Sequence, residues 1–267
     1  MAIDYIIDYS CVPKQALSSA GILDRLKGRA RAETIIRLFR ENGDERPPSQ
    51  MGFEFERSAA DGETETQVIV VQDLLDQAAE LTPYEPACEG CPANLRSMPF
   101  GCIDSIQYPL TEQSERWMLD HLPNIDQPLL WLLLRQSVQE MGYDGQAVEP
   151  LRANGVYFES THVLKRDMQD FVFNSDQLFE MMFLLGHIQP SHAGVLLQFH
   201  NAVPRAPEAN DILQIMNQTL TADEIAERYP FTMTDDANDD RTIAELKRFF
   251  RAIHRAWQLG VAVIMDV

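Results

Sequence analysis

The sequence predicts an α+β protein. Three observations predict it: β-branched and aromatic runs alternate with helical stretches as far as residue 108, the pattern turns mainly helical beyond residue 110, and a 45% hydrophobic share of 267 residues can bury a sizeable core. Residues 3 to 11, with Ile3, Tyr5, Ile6, Ile7 and Tyr9, read as a strand, and Pro13 opens a helical stretch that ends near Gly43. After Pro47-Pro48, Phe53 to Glu56 alternates as a half-buried strand does. Asp61-Gly62 is a turn signal, and Gln67 to Val71 returns as the partner strand of a hairpin. Leu74, Leu75, Ala78, Ala79 and Leu81 recur at helical spacing until Pro83, and Ile103 to Tyr108 form a further short strand.

The order to this point is βαββαβ, the ferredoxin-like succession, in which a four-stranded antiparallel sheet carries two helices on one face. Residues 1–115 are therefore expected to form a ferredoxin-like domain, packed against a mainly helical region over 116–267. That region has candidate helices at 111 to 121, 127 to 141, 175 to 187, 191 to 201, 208 to 218, 221 to 228 and 240 to 258. In the last of these, Ile243, Leu246, Phe250, Ile253 and Trp257 form one stripe, Asp240 is placed to cap the start and Gly260 to end it. The apolar run Val261 to Val267 reads as a strand that either adds to the first sheet or pairs with Gly155 to Phe158.

Forty-one acidic against 22 basic side chains give a net charge of −19, which repels a phosphate backbone and argues against a nucleic-acid partner. The aromatics Phe53 and Phe55 are flanked by Glu54 and Glu56, and the first strand offers Tyr5, Ile7 and Tyr9 without the basic rim of an RNA-binding surface. The basic residues Arg25, Lys27, Arg29, Arg31, Arg37 and Arg40 cluster on one helical stretch, most simply as a solvated face. No apolar run reaches the roughly 18 residues of a membrane span, and no secretory succession opens the chain, so a cytoplasmic location is expected. In that compartment thiols stay reduced, and clustered cysteines point to metal or redox chemistry rather than to disulfides.

There are four cysteines: Cys11, Cys88, Cys91 and Cys102. The C-x2-C turn Cys88-Glu89-Gly90-Cys91 holds two thiolates within reach of one ion, and glycine there lets backbone N–H groups approach sulfur. In the βαββαβ arrangement Cys11 ends the first strand, Cys88 and Cys91 follow the second helix, and Cys102 begins the fourth strand, all at one end of the sheet. Four thiolates would suit a structural zinc ion, and an iron-sulfur cluster is the alternative. Ordinary thiols, or a redox-cycling Cys88/Cys91 pair, are the competing readings. His187, His192 and His200 lie within fourteen residues as a secondary metal or general-base candidate, without a diagnostic spacing. The chain lacks a G-x-S-x-G elbow, a Walker-type loop and a G-x-G-x-x-G. These residues predict a metal-stapled protein with a regulatory or interaction role and an unspecified protein or small-molecule partner. The alternative is an iron-sulfur redox protein or enzyme with a pocket in the helical half.

Overall fold

The computed structural model describes residues 2–58, 64–169 and 171–267. The Asp61-Gly62 turn lies outside them. The chain begins with β1 (Ala2–Ile7), α1 (Val12–Leu17), α2 (Ser19–Glu41), the hairpin β2 (Gly52–Ser58) and β3 (Thr64–Val70), α3 (Val71–Ala79) and β4 (Ile103–Gln107). There follow α4 (Glu112–His121), α5 (Pro128–Met141), α6 (Glu149–Ala153), the short pair β5 (Lys165–Asp167) and β6 (Val172–Asn174), and α7 (Ser175–Phe183). The chain closes with β7 (His187–Ile188), α8 (Pro190–Phe199), α9 (Ala209–Met216), α10 (Ala222–Arg228), α11 (Arg241–Leu259) and β8 (Val263–Asp266). It forms two compact units, residues 1–9 with 101–267 and residues 10–100.

The first unit is built on a four-stranded antiparallel sheet in the order β4-β1-β8-β7. β1 and β4 are neighbours, the adjacency a ferredoxin-like succession implies, with Ile3 opposite Ile106 and Ile6 opposite Ile103; of the two places expected for the C-terminal run, it takes the one in the same sheet, beside β1. The ferredoxin-like order is not what forms. The place beside β1 that the hairpin would fill is taken by β8, and among the described residues β2 and β3 pair only with each other. Composition explains the exchange. The central strand buries Ile3, Tyr5, Ile6 and Ile7 and needs an apolar neighbour, which β8 supplies in the buried Val263 and Met265. The hairpin strand β3 instead carries Thr64, Glu65, Thr66 and Gln67 in its sequence and leaves Val68 63% exposed.

Helix α11 covers this sheet with the apolar stripe read from the sequence. Asp240 Oδ1 accepts the Ile243 N–H at 2.8 Å, and Gly260 ends the helix at φ +64, a conformation that favours glycine. Phe249 packs edge-on against Tyr5 of β1 at 5.0 Å between centroids and lies 5.4 Å from Phe183 of α7. On the other side α11 meets α8, where Gly194 is required by space: a Cβ there would stand 2.4 Å from Ile215 of α9 and 3.0 Å from Trp257. The predicted helix over 175 to 187 ends at Phe183, because His187 and Ile188 pair with β8 instead.

A buried ionic cluster joins α4, α6 and α7. The Arg152 guanidinium donates to Glu115 Oε2 at 2.6 Å, to Asp176 Oδ1 at 2.7 Å and to the Ser160 carbonyl at 2.9 Å, and lies 3.9 Å from the Phe158 ring centroid. All three charged residues are buried. Burial pushes the Glu115 pKa up while its bonds to Arg152 pull it down.

The second unit packs α2 on α3 and the hairpin root. Ala32, Met51 and Val71 are its buried core, surrounded by Ile35, Ile36, Phe39, Leu74 and Leu75. Several arginines of the basic stretch have carboxylate partners inside this unit: Arg25 with Glu80 at 2.5 Å, Arg29 with Glu85 at 3.7 Å and Arg40 with Glu45 at 3.4 Å. Among the described residues no helix is long and apolar enough to cross a membrane.

Replacing Arg152 by Met is expected to leave two buried carboxylates without their cation and to destabilise the protein by about 3–5 kcal/mol in urea unfolding. Gly194→Ala is expected to cost about 1–3 kcal/mol by overpacking against Ile215 and Trp257. A Gly194→Ala protein as stable as the parent would show that α8, α9 and α11 separate freely.

Candidate functional site

The second unit gathers three of the four cysteines. Cys11 is the N-cap of α1, and its carbonyl accepts the Gln15 N–H at 3.0 Å. Cys88 is the last residue of a 3-10 turn, Thr82–Cys88, that packs against α1, so two residues 77 positions apart in the chain are brought to one place. From Cys88 the chain makes a type II β-turn. Glu89 has φ −67 and ψ 127, Gly90 has φ +70, and the Cys91 N–H returns to the Cys88 carbonyl at 3.3 Å. Glycine is what the third turn position demands, and the space beside it is open.

Asn94 secures this turn. Its side-chain amide donates to the carbonyls of Cys88 and Met98, both at 2.9 Å, and its own N–H bonds the Cys91 carbonyl at 2.9 Å. The loop then brings the Phe100 N–H to 3.2 Å from the Cys88 sulfur. Cys88 is buried, whereas Cys11 and Cys91 are half-buried, and none of the four cysteines is in a disulfide. Burial pushes the Cys88 thiol pKa up and the Phe100 N–H opposes it. The Cys11 and Cys91 groups are close enough to raise it further by like-charge repulsion.

Cys102 belongs to the first unit, at the mouth of β4, where its carbonyl accepts the Ile7 N–H at 3.0 Å. It therefore lies at the end of β1 from which the chain runs on to Cys11. Among the described residues no group of three or more His, Cys, Asp or Glu side chains stands in position to hold a metal ion.

No protein-family model, curated protein or solved structure matches this chain. Its chemistry therefore rests on its own geometry.

The histidines do not assemble as a set. His187 is exposed on β7, His192 is half-buried in the first turn of α8, and His200 is wholly buried after the last turn of α8. The His200 ring lies 4.8 Å from Phe250, and among the described residues neither ring nitrogen has a hydrogen-bond partner. Burial, with His121 and Arg205 nearby, drives its pKa down to about 3. What sequence reasoning missed around the cysteines is Asn94 and Phe100. The only signal for Asn94 was an amide side chain three residues after Cys91; the Phe100 contact is made by backbone and leaves no signal.

Two outcomes are expected. In the reduced, metal-free protein, maleimide labelling followed by mass spectrometry should reach Cys91 well before Cys88, and Asn94→Ala should narrow the gap; equal rates in the parent would mean that the turn shields neither sulfur. As for His200, its folded-state pKa lies below the ordinary 6.5, so as pH falls through 6.5 the unfolded chain binds a proton that the folded chain refuses. Stability that is full above pH 6.5 is therefore lost progressively towards pH 3. His200→Leu should remove a slope of up to about 1.4 kcal/mol per pH unit in that window, seen as a difference between the urea-unfolding curves of parent and variant.

Proposed function

We propose that Cys11, Cys88 and Cys91 are thiolate ligands of one metal ion, zinc, whose role is structural. On this reading the chain is a metal-stapled protein with a regulatory or interaction role. The observation that carries the proposal is the Phe100 N–H directed at the buried Cys88 sulfur at 3.2 Å, beside two further thiols. An N–H donor on sulfur stabilises a thiolate, the form that binds metal, and such contacts orient ligands in metal sites.

Cys102 is the fourth ligand nominated by the sequence. Among the described residues the sulfurs do not form a preassembled cage. Binding on this reading moves the half-buried Cys91 and its glycine-containing turn towards Cys88 and Cys11, and fastens the loop after the 3-10 turn to α1. Thiolate-rich ligation matches zinc, and a closed site leaves no position for a substrate.

The test is elemental analysis with a visible spectrum on untagged protein purified without chelator and without oxygen. One zinc per chain and no colour is the expected result, with chelation or Cys91→Ser lowering the melting temperature by at least ~4 °C. Iron with sulfide absorption would make the centre an iron-sulfur cluster, and the protein a redox protein or enzyme. Absence of any metal, with melting unchanged in Cys91→Ser, would return the cysteines to ordinary thiols.

A further inference from the structure

The first unit contains a second polar site, unconnected in sequence with the cysteines. Between α4 and α11, under the loop from Met233 to Asp239, lies a cleft of about 420 Å³. One wall is the half-buried Trp117, with His121 one helical turn further on and its ring 4.3 Å from the indole. The facing loop supplies Asp236 and Asp239, and α11 supplies Lys247.

The chemistry of these groups is one-sided. His121 Nδ1 lies 2.7 Å from the Trp117 carbonyl, which only accepts, so Nδ1 is the donor and Nε2 is left as an acceptor in the neutral ring. Burial first, then the nearby Lys247 and Arg205 charges, lower the His121 pKa against the Trp117 bond and Asp120, which raise it, and so favour the neutral ring. Asp236 is held ionised by the Asn238 backbone N–H at 2.8 Å and side-chain amide at 3.0 Å, both on Oδ1. Lys247 does not offer the cleft a free charge. Its ammonium donates to Asp239 Oδ2 at 2.6 Å and to the Thr234 carbonyl at 2.8 Å, and serves to fix the loop. What faces the cleft is therefore an indole, an imidazole acceptor and a carboxylate in excess of the lysine.

We propose that this cleft binds an alkylammonium or guanidinium group, held over the Trp117 indole by cation–π attraction and bonded by the Asp236 carboxylate and His121 Nε2. An aromatic face attracts such cations within about 6 Å, and a neighbouring carboxylate adds a charge-assisted hydrogen bond. Anionic ligands meet the wrong field, in a chain whose net charge is −19.

Such a group is carried either by a free amine or by a polypeptide side chain, and two probes separate these sources: agmatine, and arginine blocked at both ends as the N-acetyl amide. Each is titrated into the full chain by calorimetry at about 0.15 M salt, where diffuse attraction to an acidic surface is largely screened. Succinate and 1,4-butanediol are the controls. Saturable binding of either cationic probe is expected, weakened at least tenfold by Asp236→Asn and by Trp117→Leu, with Trp117→Phe retaining most of the affinity. Thermal melts verify that each variant is folded, and if Asp236→Asn fails to fold, the Leu and Phe variants at 117 decide. Tighter binding of agmatine assigns the site to a free amine and tighter binding of the blocked arginine to a peptide; both support the proposal. No saturable heat with either cation, equal binding of succinate, or binding that Trp117→Leu leaves unchanged would overturn it.

Discussion

Backbone hydrogen bonds at the end of β1 hold together the two ends of a long excursion of the chain. The Ile7 N–H donates to the Cys102 carbonyl at 3.0 Å, and the Asp8 N–H to the Ala262 carbonyl at 2.8 Å, so residues 10–100 are an insertion into the chain of the first unit. The strand that anchors it, β1, is paired on both sides, with β4 and with β8. A strand paired on both sides and buried at four of six positions cannot slip by one residue without turning Ile3 and Tyr5 to the opposite face. The register of β1 therefore fixes where the chain leaves the sheet before Cys11 and where it re-enters at Cys102.

The rest of the first unit follows from covering that strand. Helix α11 brings Phe249 onto Tyr5, and it also guards an edge. Among the described residues β4 is the last strand on its side, and Glu245 of α11 accepts the Gln107 N–H at 2.7 Å. This draws a carboxylate into a buried position, where desolvation raises its pKa while the Gln107 bond and two arginines hold it down. Arg248, one turn along α11, reaches Asp104 on the same strand at 3.1 Å. A helix chosen for its apolar stripe thus also satisfies the exposed edge of the sheet, a function invisible in hydrophobic periodicity.

This explains how much the sequence disclosed. Helices were legible nearly to the residue where the signals are local: Asp240 and Gly260 bound α11, Pro128 opens α5, and Thr221 with Glu224 forms the capping box of α10. Sheet order was not, because the competitor for the place beside β1 lies at the far end of the chain. Nothing in the alternation of Phe53 to Glu56 reveals that Val263 and Met265 are the better neighbours. The cysteines divide in the same way. The Cys88-x-x-Cys91 turn and its glycine were readable from spacing, whereas the place of Cys102 at the start of a strand beside β1 followed only from expecting the first and fourth strands to be neighbours. The Asn94 brace and the Phe100 N–H depend on loop geometry that no periodicity encodes. Arg152, Glu115 and Asp176 lie in three different helices or their flanks and become a cluster only when those helices pack.

Buried polar groups in this protein fall into two kinds, and the difference bears on where it can respond to its surroundings. Arg152 makes several directed bonds and stacks on Phe158, so its charge is compensated and its helices are held in one arrangement. His200, Tyr108 and Thr242 are the opposite: among the described residues they bury side-chain nitrogen or oxygen atoms without any partner. An uncompensated group weakens the state that buries it, and relief comes from opening or from a ligand. His200 lies near His121, which lines the cleft beside Trp117. A cation bonded to His121 Nε2, as proposed, would therefore sit near the unpartnered His200, whereas Arg152 already has its carboxylate and carbonyl partners. On that proposal, the polar cleft is a place in the first unit where binding and stability meet.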